Sequence, residues 1–209
     1  SEKKAFVREV DVDYFTDANL AVQLKVLEED KLNRFESAEV GYGDVSVRAM
    51  ATIFKKIKFE THENIGSGPI HLPEEELHTS AAWISLNKSF AEMGHERLEQ
   101  GLVGTAHALN HIAPLFVMAD PQDIHVIPQV KADHNEKPTI FFYDRYPGGI
   151  GLSEKIYSGM NVVFSETKKM IDHCQCQTGC PSCIGTDTVS ETAKNDTLNI
   201  IDAFLHSSD

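Results

Sequence analysis

The sequence predicts an α/β chain of the α+β type, a mixed and largely antiparallel sheet packed with helices and finished by a C-terminal four-cysteine knot. Three observations predict it. Apolar residues recur two apart in the first third, they recur three and four apart further on, and Cys174, Cys176, Cys180 and Cys183 fall within ten residues of one another. With 209 residues, 41% of them hydrophobic, the chain is long enough to bury a core as a single domain, with residues 1–86 mostly β and residues 87–209 carrying helices, two strands and the cysteine segment.

The first elements alternate. Ala21 to Val26, Gly43 to Arg48 and Ile53 to Phe59 each place apolar side chains two apart, the period of a half-buried strand, and an antiparallel meander accommodates all of them. Ala5 to Val10 is a further strand-like run. Gly66-Ser67-Gly68-Pro69 and Pro73-Glu74-Glu75-Glu76 punctuate the chain before a strand at Thr79 to Leu86, which holds the single tryptophan, Trp83.

From Asn87, a residue suited to an N-cap, the period becomes helical. Leu98, Leu102, Thr105, Leu109, Ile112 and Phe116 form one stripe, which Pro114 should bend or end. Ile124 to Val130 and Thr139 to Tyr143 return to strand, separated by a polar turn. After Pro147-Gly148-Gly149 a helix presents Ile156, Met160, Val163, Thr167 and Met170 on one face and leads to the cysteines. Beyond them Thr188 to Glu191 has the form of a capping box, and a last helix turns Leu198, Ile201 and Leu205 inward.

Lys and Arg total 19 against 32 Asp and Glu, a formal charge of -13, which argues against a stand-alone nucleic-acid binder. No apolar run reaches the ~18 residues that cross a bilayer, and no signal-peptide core follows Ser1-Glu2-Lys3-Lys4, so no membrane partner and a cytoplasmic location are expected. The chain starts without methionine and enters a strand-like run at once, as a piece of a longer protein would.

The cysteines form a C-x-C-x3-C-x2-C pattern with Gly179 between the pairs, a short wrap able to converge four thiolates on one tetrahedral zinc ion. Such a site has no open position for water or substrate, so its expected role is to fix the angle between the helices on either side. Disulfides compete with this reading if the chain meets air, and free buried thiols or an iron-sulfur cluster are weaker rivals, the spacing matching neither ferredoxin run. His173 is a bystander or a substitute ligand.

Other candidates have plainer readings beside them. The strand, three-glycine turn and helix start from Phe141 to Gly151 could cradle an anion with Arg145 adding charge, or could need glycine only for its backbone angles; no Lys-Ser or Lys-Thr follows. His107 and His111 stand four apart, but Ala108 occupies the position where a metalloprotease helix has glutamate. Asp120, Asp123 and Asp144 suit turn anchoring more than a nuclease metal site. Lys55, Lys56 and Lys58 make the densest basic patch, a candidate nucleic-acid contact or a lysine-protected edge strand.

His107-Ala108-Leu109 with Pro114 and Asp120, then Tyr143-Asp144-Arg145-Tyr146-Pro147-Gly148-Gly149-Ile150-Gly151, then Cys174-Gln175-Cys176 and Gly179-Cys180-Pro181-Ser182-Cys183 occur in that order. Together they resemble the C-terminal zinc-binding domain of the mitomycin repair factor A family of superfamily 2 DNA helicases, with Asp13 to Thr16 and Leu72 to Trp83 similar to the family's N-terminal part. The resemblance implies a bacterial parent with two RecA-like motor lobes, an ATP-driven 3'-to-5' helicase of DNA repair, and zinc on Cys174, Cys176, Cys180 and Cys183. It implies motor domains of the same polypeptide as partners, DNA through the parent, and a place at the nucleoid. ATP and Mg2+ would belong to those lobes: with no Walker A or DEAH-type motif, this chain alone should neither hydrolyse ATP nor unwind DNA. A stand-alone zinc-stabilised protein-interaction module is the alternative, and a hydrolase using Asp144 and the histidines a distant third.

Overall fold

A computed structural model describes residues 6–87, 93–185 and 190–207. Among these described residues six strands and four helices follow in the order β1 (Tyr14–Arg34), β2 (Ala38–Lys58), β3 (Asn64–Pro69), β4 (Glu75–Leu86), α1 (His95–Val117), β5 (Ile124–Gln129), β6 (Thr139–Asp144), α2 (Leu152–Ser158), α3 (Met160–His173) and α4 (Ala193–Ser207). The strand order is β1-β2-β4-β6-β5, with β3 also paired to β2, and the β2–β3, β4–β6 and β5–β6 ladders are antiparallel.

The chain divides into two compact units. The first comprises residues 1–23 and 48–76, the second residues 24–47 and 77–209. In the first unit β3 pairs with β2 from Ile53↔Pro69 to Ile57↔Asn64, with a register irregularity between Lys56 and Ile57. The Gly-Ser-Gly-Pro run expected to be a break is therefore a strand; Ser67 and its flanking glycines leave room for the larger side chains opposite. The run expected as a strand at Ala5 to Val10 is not one: Phe6 to Val10 lie outside any ladder and Ala5 outside the described residues. Phe6 and Val7 are more than nine-tenths exposed, as in a run with no partner strand to cover it.

In the second unit one face of the sheet carries the helices. Val40, Ala82, Ile84, Ile124, Val126, Ile140 and Phe142 meet Leu98, Leu102, Leu109, Ile156, Phe164, Ile201 and Phe204 in one core. The other face is filled by the strands themselves. Leu24, Val45, Val47, Ala81, Trp83 and Phe141 are all buried, and Gln129 of β5 donates its side-chain amide to the Leu24 carbonyl of β1 at 3.1 Å. The two end strands of the order thus meet, and the sheet curls around its second face. Trp83 lies edge-on to His134 with ring centroids 5.6 Å apart, and its indole covers Gly41, where any Cβ would overlap it.

His134 and His125 share this buried face, and for both burial is the leading cause that holds the imidazole below its usual 6.5. Each folded pKa is depressed, so the stability these rings support is full above 6.5 and is lost as pH falls through the lower folded values. Melting temperature should therefore decline from pH 7 to pH 5, with a shallower decline in His134→Phe; an identical slope in that variant would exclude His134 as a source.

α1 begins at His95 with Gly94 at its cap, not at Asn87. The Asn87 side chain is engaged elsewhere, donating to the Glu36 carbonyl at 2.7 Å and accepting from Lys137 Nζ at 3.2 Å. Pro114 sits in the last turn, and Met118, in the left-handed conformation, closes the helix. The expected stripe holds from Leu98 to Leu109, then Ile112 is half-buried and Phe116 37% exposed. The single helix expected after the glycine turn is broken by Gly159 into α2 and α3, although Ile156, Met160, Val163 and Thr167 are buried as expected. In α4 Ile201 is buried, but Leu198 and Leu205 are only half-buried; Ile200 and Phe204 take the inner positions. The capping box at Thr188 lies outside the described residues.

Candidate metal centre

α3 ends at His173 with Cys174 as its C-cap in extended conformation, so the chain leaves the helix and turns back at once. Gly179 adopts φ 122, which L side chains rarely reach, and a Cβ there would collide with Ile184. Cys180 to Cys183 then form a tight turn, the amides of Cys183 and Ile184 both donating to the Cys180 carbonyl at 3.1 Å. Cys183 and Ile184 are sunk into the helical core, which fixes the knot to the body of the second unit.

The four sulfur atoms lie within 4.8 Å of one another. Cys174–Cys176 and Cys174–Cys180 are 3.5 Å apart, Cys176–Cys183 3.4 Å and Cys180–Cys183 3.6 Å. A tetrahedron with zinc–sulfur bonds of about 2.3 Å has edges of roughly 3.8 Å, so the donors fit that ion with little adjustment. The cysteines are free, and these separations far exceed the ~2.05 Å of a disulfide bond.

Electrostatics point the same way. Cys180 is lowered to about 6, first by the hydrogen bond with Cys174 and then by the backbone of Cys183 and Ser182. Cys183 is pushed up to about 12, chiefly by burial. One thiol is ready to ionise while its neighbour resists, and a divalent cation among them supplies the charge that lets all four become thiolates. The Cys180 amide already points at the Cys183 sulfur, 3.3 Å away.

Lys194, the second residue of α4, carries no signal in the sequence. Its side chain is buried, and Nζ donates to the carbonyls of Cys174 at 2.7 Å and Cys176 at 2.8 Å. A lysine in a helix's first turn resembles any surface residue in the sequence, and only its position just after the cysteines could have drawn notice.

The remaining candidates separate from this centre. His173 turns away, its Nδ1 2.6 Å from the Lys169 carbonyl. His107 and His111 meet each other at 3.2 Å through Nε2, but among the described residues no third ligand joins them. Asp123 accepts from the Tyr146 hydroxyl at 2.7 Å, and Asp120 from the Gln122 amide at 2.8 Å. Asp144, fully buried, accepts from the amides of Ile150 and Leu152 with one oxygen and of Ser153 with the other, at 2.7, 3.1 and 2.7 Å. The glycine turn therefore gives these donors to an internal carboxylate, and its structural reading is the better one. Arg145 stands exposed beside it. Lys55, Lys56 and Lys58 lie on β2 in the first unit, Lys56 Nζ 5.0 Å from the Tyr14 ring centroid, and β3 pairs with the strand at Lys55 and Lys56.

A four-thiolate knot plugged between two helices of an α+β unit defines a structural zinc-binding domain. Residues 105–184 match the family described as the MrfA Zn-binding domain, and this segment belongs to that family. It is 54% identical to the ATP-dependent helicase YprA of Bacillus subtilis over 200 residues, 96% of this chain and 27% of that protein. A crystal structure of the DUF1998 helicase MrfA bound to DNA matches 94% of this chain and 26% of its own, with TM-score 0.75 and 53% identity. An 85-residue stretch is 32% identical to the protein MJ1572.1 of Methanocaldococcus jannaschii and makes up 76% of it. The chain thus spans about a quarter of the length of the two helicases it matches.

Proposed function

We propose that residues 1–209 act as one accessory domain, the C-terminal zinc-bound part of an ATP-dependent 3'-to-5' DNA helicase of DNA repair that braces or gates the motor domains of the same polypeptide. The observation that carries this is the 54% identity to an ATP-dependent helicase over nearly the whole chain. The likeness to a helicase bound to DNA supports DNA as the partner of the whole protein. Cys174, Cys176, Cys180 and Cys183 hold the zinc in this reading, and with four protein ligands it has no open position for catalysis, so the metal keeps shape. ATP and Mg2+ act in the motor lobes, and the working place is the bacterial cytoplasm, at the nucleoid when DNA is engaged. Among the described residues no helix is long and apolar enough to cross a membrane.

Lys55, Lys56, Lys58 and Arg145 are the candidate phosphate contacts in this reading, against an overall charge of -13. Replacing the three lysines by glutamate in the full-length protein should weaken DNA binding and reduce the slope of log K against log salt by roughly one unit for each lysine that meets a phosphate. A slope equal to that of the parent would remove them from the interface. The reading as a whole is tested by ATP-dependent unwinding of a 3'-tailed duplex with the full-length protein and with residues 1–209 deleted. Unwinding abolished or slowed on deletion supports it, and unchanged unwinding contradicts it.

One observation favours a second reading, the stand-alone interaction module: an archaeal protein is three-quarters accounted for by a match to an 85-residue stretch of this chain. In that case the chain expressed alone should hold zinc and melt cooperatively, and deleting it should leave unwinding intact.

A further inference from the structure

We propose that Lys194 is the counter-charge of the zinc centre, a positioning residue that makes the four-thiolate site electrostatically tolerable inside the fold. This rests on the reading of the four cysteines as zinc thiolates. A dication among four thiolates leaves a double negative charge, and here it would sit at a helix junction partly sealed from water, with Cys183 in the core. Such a centre needs positive charge or oriented donors close by. The Cys180 amide supplies one donor to a sulfur.

Lys194 presents the converse problem. The residue is only 8% exposed, yet the hydrogen bonds of its ammonium go to two neutral carbonyls, and among the described residues no carboxylate forms an ion pair with it. It also occupies the first turn of α4, the end of a helix where a cation is disfavoured by the dipole. A buried cation at the wrong end of a helix and a doubly negative centre just beyond the carbonyls it grips are each costly alone and complementary together. Those carbonyls belong to Cys174 and Cys176, so the same side chain fixes the backbone that aims two ligands. The Lys194 amide adds a third tie, donating to the Thr178 carbonyl at 3.1 Å. α4 is thereby coupled to the metal although it contributes no ligand.

The test uses the 209-residue chain with Lys194→Met, Lys194→Gln and Lys194→Arg, measuring zinc affinity by competition with a chromogenic chelator and melting of the zinc-loaded and stripped forms. The expected result is about a tenfold loss of affinity in both neutral variants, the low end of what outer-shell changes produce, with affinity restored to within about threefold in the arginine variant. The rise in melting temperature on adding zinc should shrink in the neutral variants. Glutamine can keep a hydrogen bond to a carbonyl without the charge, so parental affinity in Lys194→Gln would overturn the proposal in favour of a hydrogen-bonding role. Equal lowering of both melting temperatures with unchanged affinity would overturn it in favour of packing. A parent chain that takes up no zinc under reducing conditions would overturn the underlying cysteine reading as well, which separates that failure from the failure of Lys194 alone.

Discussion

Stripping zinc with a strong chelator, or replacing Cys183 by serine, should unfasten residues 174–185 and lower the melting temperature without dissolving the rest of the second unit. The sheet and the α1 face have their own core of Leu, Ile, Val and Phe, so the metal is not the sole reason the domain folds, unlike in isolated zinc fingers, where roughly 10–16 kcal/mol of binding is also folding free energy. What the metal holds is the junction. α3 and α4 pack on each other, with Phe164 and Phe204 rings 4.5 Å apart and Lys168 Nζ 2.5 Å from Asp202, but the segment between them is a tight loop with no regular structure of its own at the cysteines. Without the cation only weak sulfur contacts of 3.4–3.6 Å hold the four side chains together, and the loop opens. Cys183→Ser should cost more than Cys180→Ser, because its sulfur lies in the core, accepts the Cys180 amide and would be replaced by a smaller, more polar atom. Amide exchange should rise in residues 174–185 and the first turn of α4 while β4 and β6 stay protected. Unchanged protection in the loop together with unchanged metal content would refute the zinc architecture.

The parts of the fold visible in the sequence are those whose signal is local. Short strand-like runs located β4 and β6, whose residues from Thr79 to Leu86 and from Thr139 to Asp144 are buried on both faces, with Trp83 opposite Phe141 and Ala82 opposite Phe142. The cysteine spacing located the metal centre because ligands within ten residues must converge through the loop they themselves form. Four things stayed hidden for one reason, dependence on partners distant in the chain. Asn87 has the look of a helix cap and is a tie to Glu36 and Lys137. Glycine at 66 and 68 has the look of a break and belongs to a strand, since β2 supplies the ladder. β1 runs to 21 residues through the acidic stretch Glu28-Glu29-Asp30, which as a sequence has no strand character. Lys194 belongs with them: its helical position is ordinary, and only the folded loop brings the carbonyls of Cys174 and Cys176 to its ammonium.

Asp144→Ala should be among the most damaging single changes outside the cysteines. The start of α2 has no side-chain cap of its own: Gly151 stands at the cap position, and it cannot supply an oxygen. The carboxylate reaching these amides comes instead from the last residue of β6, so one buried group both ends the strand and receives the helix. Ile150 and Leu152 donate to one oxygen and Ser153 to the other. Thr79 of β4 secures the same turn from the other side, its hydroxyl lying 2.8 Å from the Asp144 carbonyl and 2.9 Å from that of Tyr146, while Ser80 and Ser153 share a hydrogen bond at 3.1 Å. Removing the carboxylate leaves up to three amides without an acceptor, those of Leu152 and Ser153 buried, at about 1–3 kcal/mol for each donor left unsatisfied. A total near ~3 kcal/mol is expected after relaxation, which for a chain of this size is a fall of roughly 6–12 °C in melting temperature. Asp144→Asn divides the effect. Its one carbonyl oxygen can serve either Ser153 or the Ile150–Leu152 pair, and its amide then confronts the remaining donors, so about 2 kcal/mol should still be lost. Zinc content should be parental in both variants, because the hydrogen bonds that Asp144 makes in this turn go to Ile150, Leu152 and Ser153 and not to the cysteine knot. A melting temperature within about 1 °C of the parent in Asp144→Ala would mean that water can replace the carboxylate, and the strand-to-helix turn would then owe its shape to its glycines alone.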